Sequence, residues 1–321
     1  MAIVANTFTT YDAVGIREDL SDIIYNISPE ETPFISNAAR KSAKQTLFEW
    51  QSDALNAAST SNAVLDGDDV ASFAAVTPTT RLGNYTQISR KDVVISGTTE
   101  VVDKAGRKSE LSYQLAKRGS ELKRDMEAIL LYNQAAGAGN TTTARTTAGL
   151  PAFLRTNTNA GSGGSDPTVS GGIVNAARTD GTQRAFTETI LKDVVKQVYD
   201  EGGNPSTLMV GTFNKQAVSA FTGIAGQRFN VRGNRASTII GAADIYVSDF
   251  GNLSIVPNRF QRARDAFVID FSHLAVRELR PMTQEQLAKT GDAEKRMIIC
   301  EYGLEVGAEA SCGIAADLTT S

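Results

Sequence analysis

The stretch YVSDFGNLSIV, Tyr246 to Val256, contains Asp249-Phe250-Gly251, the triplet with which protein kinases hold magnesium. That aspartate works only beside a glycine-rich phosphate loop, a strand lysine and a catalytic-loop Asp and Asn. No His-Arg-Asp and no Val-Ala-Ile-Lys occurs, and the only lysines after Lys215 are Lys289 and Lys295. Ile245 and Val247 alternate before the triplet, Leu253 and Ile255 after it. The pattern predicts a hairpin turn in which Gly251 supplies a positive φ.

Other chemistry lacks partners in the same way. A Ser-His-Asp or Cys-His arrangement needs an imidazole, and His273 is the only one. It shares strand parity with Phe267, Ile269 and Phe271, which predicts a half-buried core residue. Cys300 and Cys312 are too few for a disulfide framework or a zinc site and read as buried free thiols. Gly106-Arg107-Lys108-Ser109 matches the end of a phosphate loop, but Val101 stands where its first glycine belongs. Asp66-Gly67-Asp68-Asp69 lacks the spacing and closing Glu of a calcium loop and reads as an exposed acidic tip. No catalytic, cofactor or metal residue is expected, and shape becomes the informative feature.

The 321 residues, 41% hydrophobic and 21% charged, fit a globular chain with a sizeable core. No run approaches the roughly 20 apolar residues that span a bilayer, so no membrane is expected. A net charge of −4 excludes a polycation that condenses nucleic acid. Charge is uneven: Asp12, Glu18, Asp19, Asp22, Glu30 and Glu31 face only Arg17 near the start. Arg228, Arg232, Arg235, Arg259, Arg262 and Arg264 face Asp244 and Asp249 later on. Such patches can pair between copies, address different partners or stand as separate solvated surfaces.

Ile16, Leu20, Ile23, Ile24 and Ile27 recur at helical spacing and Ser28-Pro29 ends that short helix. KQTLFEWQSDAL then reads as a strand with Phe48 and Trp50 on one face, and TTRLGNYTQISRKDVVISG as an equally long return strand. Ten strand residues reach on the order of 33 Å, and an isolated two-stranded ribbon is marginal in water. The arm is expected to lie on a neighbouring copy. A long helix is predicted over about 108–135, with Lys117–Glu121 and Lys123–Glu127 pairs on its exposed face. Residues 140–184 turn rich in Gly, Ser, Thr and Asn and read as a long loop. A compact α/β unit follows: a helix over FTETILKDVVKQVYDEGG, the strand TLMVG, a helix capped by Thr212, the Asp249 hairpin, and two long strands, AFVIDFSHLAVREL and RMIICEYGLEVGAEA.

This order of parts resembles the Hong Kong 97 fold of tailed-phage major capsid proteins. REDLSDIIYNISPEETPF, YDEGGNPSTLMVG, DIYVSDFGNLSIVPNR, LAKTGDAEK and EYGLEVGAEASCGI resemble a phage major head protein subfamily. The resemblance implies an α+β fold with an N-terminal arm (1–44) and an extended two-stranded loop (45–98). It further implies a peripheral domain with a spine helix (99–150), an axial domain with the Gly/Ser-rich excursion (151–264), and return strands with the C-terminus (265–321).

On that resemblance the chain is a non-enzymatic subunit forming hexamers and pentamers of an icosahedral head around double-stranded DNA. It would be assembled in the host bacterial cytoplasm and end in the virion. Its implied partners are other copies of itself, a separate scaffold protein, a portal protein, DNA contacted non-specifically and optionally a decoration protein. Trp50, Asp66, Asp68, Asp69, Arg228, Arg232, Arg235, Glu18 and Asp19 are the expected intersubunit contacts. An encapsulin-like compartment holding cargo enzymes resembles the same fold and is the alternative. Some relatives link subunits by lysine-to-asparagine bonds from the extended loop; no lysine occurs between Gln45 and Arg90, so none is expected here. Some also begin with a long cleaved assembly domain; only about ten residues precede the first helix here, which points to a separate scaffold.

Overall fold

The computed structural model describes residues 31–67, 69, 73, 75–104, 106–221 and 244–321. The predicted N-terminal helix, with Glu18 and Asp19, lies outside them, as do Asp68, Arg228, Arg232 and Arg235.

The described chain opens with a single turn of helix, α1 (Pro33–Asn37), whose proline sits where no N–H is required. Strand β1 (Ala39–Ser42) follows, then β2 (Leu47–Ser52) and β3 (Thr80–Tyr85), paired antiparallel from Leu47↔Tyr85 to Ser52↔Thr80. The arm is therefore stranded only at its root, and the described residues between 53 and 79 form no regular element.

The return strand is not continuous. At Thr86 it leaves β2 and continues as β4 (Gln87–Ser96) in a different sheet. Thr86 is buried and its hydroxyl donates to Glu301 at 2.8 Å, a bond that holds the chain at the change of partner.

After the short α2 (Gly97–Val101), Ser109 caps α3 (Glu110–Leu130) by accepting from the Ser112 N–H at 3.2 Å. This spine is about 30 Å long, one to two turns shorter than the span of about 108–135 predicted. It stops at Leu130 because the next residues bond elsewhere. Asn133 exchanges hydrogen bonds with the backbone of Arg178, and Gln134 Nε2 donates to the Thr147 carbonyl at 2.7 Å. Gly149 closes this corner: a β-carbon there would stand 1.9 Å from the Tyr132 carbonyl oxygen. Leu122, Met126 and Leu130 are buried along α3, each contributing about 2 kcal/mol of transfer free energy.

Residues 140–184 are more than a loop. The apolar stretch GLPAFL forms α4 (Leu150–Phe153), buried throughout, and β5 (Thr158–Asn159) enters a sheet. Strands β6 (Thr168–Ser170) and β7 (Ile173–Ala176) make a hairpin that joins β3 through Gly83↔Ile173.

The α/β unit follows its sequence pattern. Helix α5 (Glu188–Asp200) is capped by Thr187 and ended by Gly202 at φ +85°. Strand β8 (Thr207–Val210) is wholly buried, and α6 (Thr212–Ser219) takes Gly211, not Thr212, as its cap. Strands β9 (Ile245–Ser248) and β10 (Gly251–Pro257) form the predicted hairpin, with Gly251 at φ +142°.

The long strand predicted through His273 is broken. Strand β11 (Ala266–Ile269) ends in a 3₁₀ turn, Phe271–His273, in which Asp270 caps the Ser272 N–H at 3.0 Å. Strand β12 (Leu274–Gln286) then begins in another sheet beside β13 (Ala293–Val306), and β14 (Gly313–Ala315) returns to the first. The cap outcompetes strand pairing, so His273 loses its parity and its side chain is 47% exposed.

Among the described residues the sheets run β1-β12-β13-β4, β5-β14-β11-β8-β10-β9 and β2-β3-β7-β6. One core lies between α3, α4 and the inner faces of the first two sheets; a second lies between α5, α6 and the other face of the second.

Candidate assembly surfaces

The root of the arm is bolted to its own chain. Phe48 and Trp50, two residues apart on β2, stack with ring centroids 6.0 Å apart, and Trp50 meets Phe153 of α4 at 6.0 Å. The Phe48 ring lies directly on the backbone of β13: a β-carbon on Gly303 would stand 2.6 Å from it. Trp50 is thus half-buried against residues of its own subunit.

The tip has no such support. Leu55, Val64, Leu65, Phe73 and Val76 are 80–99% exposed. Asp66 and Asp69 are exposed between them, Asp66 in a turn that needs Gly67 at φ +80°. A single subunit offers these apolar side chains no cover.

Glu127 does not pair with Lys123 at the surface. It is fully buried. One carboxylate oxygen accepts from the Phe34 N–H at 2.7 Å and the Asn258 amide at 2.7 Å, the other from the Ile35 N–H at 2.9 Å. Burial pushes its pKa up while these three donors pull it down. One side chain thereby joins the start of the described chain, the spine and the segment after β10.

Two further carboxylates are held on β13. Glu301 lies between Arg145 at 2.5 Å and Arg280 at 3.0 Å, and Glu305 between Lys41 at 2.8 Å and Arg277. Burial leaves these carboxylates dependent on their partners.

A third cluster sits where residues 160–184 meet β11 and the C-terminal residues. Arg262 donates two 2.6 Å bonds to Asp180 and lies 3.2 Å from Asp265. Arg264 reaches Asp180 at 3.1 Å and Asp317 at 2.8 Å, and Arg178 pairs with Asp166 at 2.6 Å. Asp317, at φ +60°, also accepts from the N–H groups of Gly161 at 3.0 Å and Gly181 at 2.8 Å. Asp265 is fully buried with no hydrogen bond to its carboxylate oxygens, and desolvation raises its pKa to about 6. Sequence reasoning missed this cluster because its members are spread from residue 166 to 317.

A groove of about 290 Å³ opens beside Thr32 between α1, α3 and the β12–β13 sheet. Its lining includes Ile35, Met126 and Met282 with Arg40, Lys123, Glu278 and Arg280; Arg40 lies 3.4 Å from Glu278 and Arg280 3.0 Å from Glu301.

The arrangement offers little to covalent chemistry. Burial raises the Cys300 thiol to about 12 and Cys312 to about 11, far from the thiolate a nucleophile needs. Asp249 and Phe250 are the two residues of the hairpin turn. Among the described residues no group of three or more His, Cys, Asp or Glu side chains could hold a metal, and no helix is long and apolar enough to cross a membrane.

An arm rooted on a spine-and-sheet domain, joined to an α/β domain, defines the class of tailed-phage capsid subunits. The cyanophage A-1(L) capsid subunit superposes with a TM-score of 0.66 at 15% identity, covering 98% of this chain and 99% of that one. The subunit of Gordonia phage Cozz gives 0.63 at 12% identity over 99% and 98%. The family model described as SU10 major capsid protein matches residues 3–319. The chain belongs to that family and is a major capsid protein, a structural component of a phage shell. The major capsid protein of Escherichia phage Phieco32 is 30% identical over 92% of this chain and 93% of its own length. Family membership selects the phage head over the cargo compartment.

Proposed function

We propose that this subunit closes an icosahedral head of hexamers and pentamers around double-stranded DNA, without catalysis of its own. The arm tip carries the reading. Five apolar side chains left in solvent would contribute on the order of 1.5 kcal/mol or more each when covered, and a neighbouring copy is the surface present in every shell. Asp66, Asp68 and Asp69 travel with the tip and meet basic groups of that neighbour. Glu18 and Asp19 engage basic groups of an adjacent copy. Arg228, Arg232 and Arg235 bond to adjacent copies near the capsomer centre, and Trp50 presents its remaining open edge to the covering subunit.

Assembly in the bacterial cytoplasm on a separate scaffold protein, around a portal, completes the proposal, with a decoration protein added outside. The experiment is light scattering with electron micrographs of the purified chain, compared with a variant whose residues 54–78 are replaced by a short linker. Capsomers, sheets or shells from the first and none from the second are expected. Equal assembly by both would remove the arm from the reading. A chain that stays at 34.2 kDa is retested with its scaffold co-expressed.

A further inference from the structure

Residues 155–184 join three parts of the molecule. At the near end Glu309 accepts from Arg155 and Thr156, and Asn157 Nδ2 donates to the carbonyls of Ala310 at 2.6 Å and Cys312 at 3.1 Å. In the middle, the β6–β7 hairpin extends the root of the arm, with the Gly83 N–H donating to the Gly172 carbonyl at 2.9 Å. The two backbones are so close that a β-carbon on Gly172 would stand 2.3 Å from the Arg81 carbonyl oxygen. At the far end the ionic cluster fastens Asp180 and Gly181 to Arg262, Arg264 and Asp317.

We infer that Asp180 and Arg262 are positioning residues for shell assembly: they anchor a strut, residues 155–184, that fixes the direction in which the arm leaves its subunit. This rests on the reading that the arm covers a neighbouring copy.

Three physical points support it. A two-stranded ribbon is marginal alone, and beyond the packing of Phe48 and Trp50 its sheet neighbour, among the described residues, is the hairpin of this strut. The strut has short strands and a glycine-rich course, so its shape depends on its anchors. Among those anchors, Arg262, whose side chain is 13% exposed, sets one nitrogen, Nη2, 2.6 Å from both carboxylate oxygens of Asp180, a charge-assisted contact that holds the far end of the strut in place. The leverage is large: a turn of about 10° at the root, over an extended reach of roughly 40 Å, moves the tip by ~7 Å. That is enough to change where five apolar side chains land on a neighbour.

The test uses Asp180→Ala, with Asp180→Glu as the conservative rescue and Asp180→Asn as a milder variant should the alanine form fail to fold. Hydrogen exchange of the Gly83 amide is read on the unassembled chain, and shell diameters are read in electron micrographs. Asp180→Ala is expected to unfold cooperatively, to exchange at Gly83 at least tenfold faster, and to give a broader or shifted diameter distribution. Asp180→Glu is expected to recover most of both. Wild-type exchange at Gly83 would overturn the inference, whatever the shells look like. Faster exchange with wild-type diameters would overturn the link to assembly, provided the arm-deleted variant fails to assemble. If the arm-deleted variant assembles normally, the parent reading fails instead.

Discussion

The amide of Asn258 donates a 2.7 Å hydrogen bond to Glu127, so the segment after β10 and the middle of the spine helix are joined by one buried contact. The same carboxylate takes the N–H groups of Phe34 and Ile35, which otherwise have no helical partner at the start of α1.

Glu127→Gln keeps the shape but brings an NH₂ group to a site where only donors converge. Hydrogen bonds to a charged acceptor are lost and at least one buried N–H is left unpaired. The expected cost is about 2–4 kcal/mol in denaturant unfolding, with a larger loss for Glu127→Ala. Unchanged stability in both would mean that this junction contributes little to the fold.

Asp265 gives a pH signature of definite sign. Its folded pKa, about 6, lies above the ordinary 3.8 because desolvation favours the protonated form, ahead of the opposing attraction of Arg262 and Arg178. The stabilising contribution is therefore fully present below about pH 4 and is lost as pH rises through about 6. Relative to Asp265→Asn, the wild type should lose on the order of 3 kcal/mol between pH 4 and 7. Unfolding titrations of both forms across that window check it, and a flat difference would contradict it.

Trp50 and Phe73 separate folding from assembly. Trp50→Ala removes a half-buried indole from Phe48 and Phe153 and should cost about 2 kcal/mol of the subunit's own stability as well as shell yield. Phe73→Ser removes an 89% exposed ring and should leave the unfolding midpoint within about 0.5 kcal/mol while reducing assembly. Normal particle yield from Phe73→Ser would count against the arm as a contact.

Arg228→Glu reverses a charge in the arginine-rich stretch that includes Arg228, Arg232 and Arg235. Capsomer yield by light scattering should fall while thermal unfolding of the subunit is unchanged. Wild-type yield would place Arg228 on a solvated surface.

A boiled denaturing gel of shells should show a single coat band. The arm carries no lysine between Gln45 and Arg90, and Lys91 is paired with Asp125 at 2.7 Å within its own subunit. A ladder would show covalent linkage by another route.

Much of this architecture was legible from local pattern. The turn at Asp249 and Phe250 and the shared face of Phe48 and Trp50 depend on residues a few positions apart, and periodicity reads such distances directly. His273 escaped because the Asp270 cap, a side-chain bond to the next turn, outcompeted strand alternation. Glu127 escaped because an acid four residues after a lysine matches a surface pair; its true partners are 93 and 131 residues away.

By itself, the sequence determined the order of arm, spine and α/β unit, the absence of a lysine in the arm, and the missing partners of each catalytic motif. The tertiary structure alone decided that the return strand divides at Thr86, that a hairpin within residues 140–184 pairs with β3, and that Asp180, Arg262, Arg264, Asp265 and Asp317 meet. Those outcomes depend on desolvation and pairing between distant segments, and charges gain buried partners only once the chain has brought them together.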